Sequence, residues 1–466
     1  MRHLHVAELR DSWSAWLGVC LAFVVTSFAL GLSSLTLLAA VRFIRSGRVE
    51  VMESAAYAVS PVLNLSFCLV IGAIVIGYAT SLVVDSRRGS LARLALTGAT
   101  PGQVVSTIMV QLAVVSLACS LVGDVLAFTA LAPALELMST DRGIPPPPPV
   151  YEVWPVLVAS LLAVGLALLG GFRQAHRASR IPPVEALRQS GSGVRRDGMT
   201  WWRWLGFGLC LILVAVAYAA LTVLPTELGD DVIGNLVQGG MVLLVVAAAL
   251  LAFVAPAVVG PLTRAWTSLI PSFDPSWDLT RSTTVAKATR LTKSVVPVMM
   301  TVGLTFGMLA VGESFQSSLR ANGIDVELTG GGLASTLEFL GLPLAIALSG
   351  GVGSLVMMAK QRDAELALSG IVGTTPAQRL AMPVMEGVII AVTGALLAVV
   401  MVAVSVGFMA VGFPAAGYEF GFSPPYAAFA LAFLVATAIT VSATLLPTLR
   451  SLRMPEPRVI ARLVAE

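Results

Sequence analysis

The feature that most narrows the fold is how the charges are distributed: long stretches of the chain carry none at all. Asp11 to Arg42, Glu53 to Asp85 and Arg203 to Glu227 each bracket an uninterrupted run of uncharged, mostly apolar residues. Charged residues make up only 12% of the chain, about half of the roughly 25% usual in a soluble domain. About 20 apolar residues are enough to cross the hydrocarbon core as a helix. No water is present there to satisfy open backbone groups, so each run must be helical. Ten such runs occur, near 13–40, 59–84, 104–134, 153–172, 204–224, 235–260, 293–312, 334–358, 379–412 and 425–448. A large soluble protein could bury a few such helices but not ten. The expected fold class is an all-α polytopic membrane protein with about ten transmembrane helices.

The first run is too long for a signal-peptide core and ends without a small-residue cleavage site, so it is kept as a helix. Cys20, Cys68, Cys119 and Cys210 all fall inside spans and read as small buried apolar residues. With the N-terminus inside, the inner segments hold 24 of the 29 Lys and Arg residues, leaving Arg42, Arg45, Arg48, Arg142 and Arg320 outside. That asymmetry predicts cytoplasmic termini and assigns the basic residues to the inner leaflet rather than to nucleic acid. Trp201, Trp202 and Trp204 read as an interfacial belt where the fifth span leaves that face. Three lysines against 26 arginines suggest a bacterial chain from a GC-rich genome, and hence a bacterial cytoplasmic membrane.

The chain also repeats itself. At an offset of 275, Arg87, Leu91, Ala92, Gly98, Thr100, Pro101 and Gln103 recur as Arg362, Leu366, Ala367, Gly373, Thr375, Pro376 and Gln378. Arg177, Arg180 and Pro182 recur as Arg450, Arg453 and Pro455 at an offset of 273, and Ser27-x-x-x-Gly31 as Gly303-x-x-x-Gly307 at 276. Three matches in order at nearly one offset imply a duplicated four-helix unit. Residues 1–190 form the first copy, 191–275 a cytoplasmic linker with two connecting helices, and 276–466 the second copy. Both copies start on the same side, so they are parallel repeats. The small-residue pairs are what close helix packing in lipid requires.

Each copy has a cytoplasmic loop expected to form a short amphipathic helix followed by a turn, Gly98-Ala99-Thr100-Pro101 or Gly373-Thr374-Thr375-Pro376. Gly suits the left-handed position and Pro the first turn of the next helix. A bare connection would need only a few polar residues. The same rigid knob placed twice suggests two copies of one cytoplasmic partner.

These loops, with the pattern Arg-x3-Leu-Ala-x5-Gly-x-Thr-Pro-x-Gln, and the ending Ala178–Arg188 (Ala-Ser-Arg-Ile-Pro-Pro-Val-Glu-Ala-Leu-Arg) resemble the FtsX-like permease family. Its members are the membrane subunits of the MacB-type ABC transporter superfamily. The resemblance covers both repeats. It implies that the paired loops dock on ATPase subunits through Arg88, Leu91, Leu94, Gly98, Thr100 and Pro101, and through Arg362, Leu366, Ser369, Gly373, Thr375 and Pro376. It implies two copies of a cytoplasmic ABC ATPase as partners, with ATP and Mg bound there and no cofactor in this chain. A sensor kinase or a small hydrophobic substrate would be further partners. Well-known members carry a large extracytoplasmic domain between the first two helices of a unit. Here the corresponding loops, about 41–58 and 313–333, are too short for one. The layout instead looks like the ten-helix permeases linked to export of, or resistance to, antimicrobial peptides and other amphiphiles.

Catalytic motifs are missing from the sequence: it has no Gly-x4-Gly-Lys-Ser/Thr phosphate loop. His3, His5 and His176 lack the neighbours of a metal site. Three acids sit at membrane depth, where a carboxylate should face a polar partner or cavity. Glu386 occupies the position of Gln111 in the other copy, which favours a structural hydrogen bond near the loop. Asp124 aligns with Val400 or its neighbour and reads equally as a substrate or proton pathway and as a structural partner; Glu338 lies near the outer start of the eighth span. Pro145–Pro149 read as a stiff polyproline spacer. The function expected is the permease subunit of an ATP-driven exporter or extractor of an amphiphile such as an antimicrobial peptide, drug or lipid. A force- or signal-transmitting subunit and a proton-coupled transporter using Asp124 and Glu386 stay open as alternatives.

Overall fold

A computed structural model describes residues 13–47, 51–87, 96–140, 145–179, 201–223, 232–271, 274–323 and 333–452. Among these residues the chain is entirely helical apart from turns and short extended links. The first unit consists of α1 (Trp13–Arg45), α2 (Val51–Ser86), α3 (Pro101–Thr140) and α4 (Val153–Ser179). Next come the connecting helices α5 (Trp201–Val223) and α6 (Val232–Ser268). The second unit consists of α7 (Pro275–Ala286), α8 (Ala288–Ala321), α9 (Leu333–Met357), α10 (Ala359–Ile371), α11 (Pro376–Ala415) and α12 (Tyr426–Leu452). Ten of these helices, all but α7 and α10, are long and apolar enough to cross a membrane.

The helices overrun the apolar runs that reveal them. α3 and α11 each have 40 residues, or about 60 Å at 1.5 Å per residue, twice the roughly 30 Å of hydrocarbon. The side of the paired loops is here termed the loop face, and the opposite side the distal face. One short helix was not expected from the sequence. α7 spans 275–286 inside what reads as an inner loop, capped by Asp274, whose carboxylate accepts from Ser276 N at 3.0 Å, with Pro275 in the first turn.

Counting only the membrane-spanning helices, the two units share one packing plan: the first lies on the third, the third on the fourth, and the second beside the first. Close approach in lipid depends on small residues. Ser27 Oγ lies 2.8 Å from Ser120 Oγ between α1 and α3. A Cβ on Gly303 of α8 would fall 2.8 Å from Met401 of α11. The repeated small-residue motif therefore serves close helix packing, within the unit at Ser27 and Gly303 and against Leu244 of α6 at Gly307. Between units α9 lies along α1 and α2, and the backbones touch. A Cβ on Gly18 would come 2.2 Å from Gly353 O, and one on Gly353 equally close to Gly18 O. Lys293 on α8 bridges to Asp85 at the end of α2, a second link between units. The connecting pair breaks the symmetry: α6 packs on α8 and α11, and α5 on α6. Tyr78 of α2 reaches α6, donating to Ala252 O at 2.8 Å.

Candidate functional site

The two loops fold alike because each residue of the repeated motif has one geometric duty. Gly98 and Gly373 have φ of +96° and +104°, a region that favours glycine. At Gly373 the amide donates to Gly370 O and that of Thr374 to Ser369 O, both at 3.1 Å, the Schellman closure of α10. Thr375 then caps α11. Its Oγ1 accepts from Gln378 N at 3.3 Å, and Gln378 Oε1 accepts from Thr375 N at 2.9 Å. The first loop repeats this reciprocal box, with Gln103 N to Thr100 Oγ1 at 3.4 Å and Thr100 N to Gln103 Oε1 at 2.9 Å. Pro101 and Pro376, each lacking an N–H, open the next helix where none is needed.

Beneath each knob an arginine anchors it to the membrane helices. In the first unit Arg87 donates to Gln111 of α3 and stacks 5.4 Å over the Trp16 ring of α1. In the second, Arg362 grips Glu386 of α11 with Nε to Oε2 at 2.7 Å and Nη2 to Oε1 at 3.1 Å. Its Nη1 donates to Thr444 O of α12 at 3.3 Å. Both pairs are 24 residues apart. A further ion pair, Lys287 to Glu365 at 2.5 Å, holds α10 to the α7–α8 junction. Around these two pairs a cavity of about 170 Å³ opens between α7, α8, α10 and α11. Leu291 borders it, standing where Trp16 fills the space under the first knob.

The structure sorts the residues expected to meet a partner. Arg88, Leu91 and Leu94 lie outside the described residues. Gly98, Thr100, Pro101, Gly373, Thr375 and Pro376 are exposed at the tips. Arg362 and Leu366 turn inward, each only 5% exposed, so they hold α10 in place rather than form its outer surface. Ser369 is half-buried, its hydroxyl donating to Leu366 O at 2.9 Å. The outward apolar surface comes from residues the sequence reading passed over: Leu96 in the first knob, and Leu368, Ile371 and Val372 in the second. Val372 is 87% exposed. The signal was present, since 362 and 366 fall one turn apart on one face of α10, and 368, 371 and 372 on another.

Asp124 and Glu386 do not share a site. Asp124 is buried in the first unit, where Ser160 Oγ of α4 lies 2.7 Å from both carboxylate oxygens. Glu386 lies in the second unit, ten residues into α11 from the loop. The side chain of Glu338 lies outside the described residues. Pro145–Pro149 are non-helical, and Tyr57 Oη donates to Pro145 O at 3.0 Å. Among the described residues no cluster of three His, Cys, Asp or Glu side chains could hold a metal ion.

Comparison with known proteins agrees with the repeat. A family model described as FtsX-like permease C-terminal matches twice, at residues 63–183 and 339–455, together just over half of the chain. Each match begins within α2 or α9 and ends at or just past the close of α4 or α12. No curated protein matches the chain.

Proposed function

Because the chain belongs to the FtsX-like permease family, whose members are ABC transporter permease-type subunits working with a cytoplasmic ATPase, we propose that it carries both docking elements of one transporter in a single polypeptide. Each knob receives one copy of an ATPase, giving one permease to two ATPases. The observation that carries this reading is the duplicated turn: the same positive-φ glycine, the same capping box and an exposed apolar tip, all on one face. The concentration of Lys and Arg on that face supports a cytoplasmic location. The cargo is a hydrophobic or amphiphilic molecule taken from the membrane, exported or extracted by motion of one unit against the other.

The geometry favours this reading over proton-coupled transport. Glu386 is held at two oxygens by Arg362, and Asp124 is bound to Ser160 in the other unit. The described hydrogen bonds of the two carboxylates, to Ser160 and to Arg362, do not connect them to each other. A direct test is site-specific cross-linking from Val372→Cys and from Leu96→Cys to the ATPase in native membranes. Both positions should capture it. Capture at neither position, with the variants inserted normally, would remove the docking assignment.

A further inference from the structure

The two units differ in the distal half of their closing helix pair, and each serves as the other's control. α3 and α11 both run 40 residues from a proline, Pro101 and Pro376, and α4 and α12 both run 27 residues from Val153 and Tyr426. Position by position, Asp124 corresponds to Val399, Ala127 to Val402 and Leu131 to Val406, while Val156 and Ser160 correspond to Phe429 and Phe433. In the first unit this surface is covered. Val156 of α4 packs into one closed cluster with Leu35, Ala127 and Leu131, and the Asp124–Ser160 hydrogen bond fastens α4 beside it.

In the second unit the fastening pair is replaced by two apolar residues, and the larger Phe429 stands against Phe306 of α8 with ring centroids 4.6 Å apart. The matching stretch of α11 is only partly covered: Val402 and Val406 are buried, but Val399 and Ala403 are exposed. Val399, Val402, Ala403 and Val406 line an apolar groove of about 440 Å³, with Phe306 on one side and Phe420 and Phe422 toward its distal end. The link that carries those two aromatics is fixed. Asn322 Nδ2 donates to Glu419 O and accepts at Oδ1 from Glu419 N, both at 2.9 Å, and Gly421 N donates to Ser318 Oγ at 3.0 Å.

A groove with apolar walls inside the span of α8 and α11 excludes water and faces lipid, so a hydrocarbon chain is what it can hold. A charge stands beside it. Glu313 follows groove-lining Ala310 by three residues on α8, is exposed, and stands at the distal end of the apolar run 293–312. The first unit has leucine there in either register, Leu37 or Leu38. At that edge of the apolar wall a carboxylate can pair with a cationic head while the attached tail lies in the groove.

We propose that this groove binds a cationic amphiphile, its hydrocarbon tail between α8 and α11 and its head paired with Glu313; the inference rests on the permease reading and assigns the cargo's entry to the second unit alone. The test uses the full chain in phosphatidylcholine nanodiscs without any ATPase. Equilibrium binding of radiolabelled dodecyltrimethylammonium is compared with that of dodecyl sulfate, with empty nanodiscs subtracted. Wild-type protein should bind the cation saturably and about tenfold more tightly than the anion. Ala403→Trp, or Ala410→Phe where the first variant fails to fold, should weaken both probes by filling the groove. Glu313→Gln should abolish the preference for the cation and keep tail binding. Unchanged binding in both groove-filling variants, or no saturable binding by wild-type protein, overturns the site. A cation preference that survives Glu313→Gln overturns the assignment of the head. Since no ATPase is present, these failures are separate from any failure of the docking reading.

Discussion

Replacing Gly373 with valine isolates the turn from everything around it. A Cβ at Gly373 would meet no atom within 4 Å, so the substitution introduces no clash and its cost is purely conformational. At φ of +104° a β-branched residue is strained by about 1–3 kcal/mol. The chain can escape that strain by giving up the two 3.1 Å hydrogen bonds that close α10, at about 0.5–1.5 kcal/mol each. Both routes reach the same size, so the native turn should lose roughly 5- to 150-fold in relative population. The knob would then tilt while the membrane helices, anchored below by Arg362 and Glu386, stay inserted. The assay is ATP hydrolysis by the partner ATPase with and without permease in proteoliposomes, alongside size-exclusion behaviour. Permease-stimulated hydrolysis should fall several-fold for Gly373→Val and for Gly98→Val, which shares the geometry at φ of +96°. Gly373→Asn, better able to adopt positive φ, should retain most of it. Normal stimulation by both valine variants would show that the turns do not transmit the coupling.

Four further substitutions separate the membrane-depth polar groups. Glu386→Gln should be mild, within about 1 kcal/mol, because Arg87 already works with Gln111 in the other unit; Arg362→Ala leaves the carboxylate without its partner and should lower stability by about 2–4 kcal/mol, read as a lower thermal midpoint, and equal effects of the two would contradict this. Asp124→Asn keeps an acceptor for Ser160 Oγ and should alter stability and ATP turnover little, whereas Asp124→Leu should loosen α4 and raise proteolysis near residue 150; severe loss of transport in the Asn variant at normal expression would instead give the carboxylate a role in the pathway.

Hydropathy revealed all ten spans because, in lipid, the charge-free run and the helix are forced to coincide. It missed helix ends that lie in polar surroundings. α3 starts at Pro101 rather than 104 because the Thr100 cap, not apolarity, sets its first turn. α7 was hidden for the same reason, its Asp274-Pro275 start being the one local sign of a helix among loop charges. The duplicated turn was fully legible, since Gly, Thr, Pro and Gln each have a single structural duty there. Which face of α10 looks outward was not, because the helix carries two apolar stripes and only its packing against α11 and α12 chooses between them. Nor was the groove, because Phe429 and Phe433 read like any other apolar residues of α12 until their stand against α8 sets them apart from Val156 and Ser160.

The measurement that bears most directly on a single chain holding both docking elements is native mass spectrometry of the permease co-purified with its ATPase from detergent. The account predicts one permease chain with two identical ATPase subunits, and loss of one subunit from the assembly when either knob is disrupted singly. Assemblies containing two permease chains would contradict it.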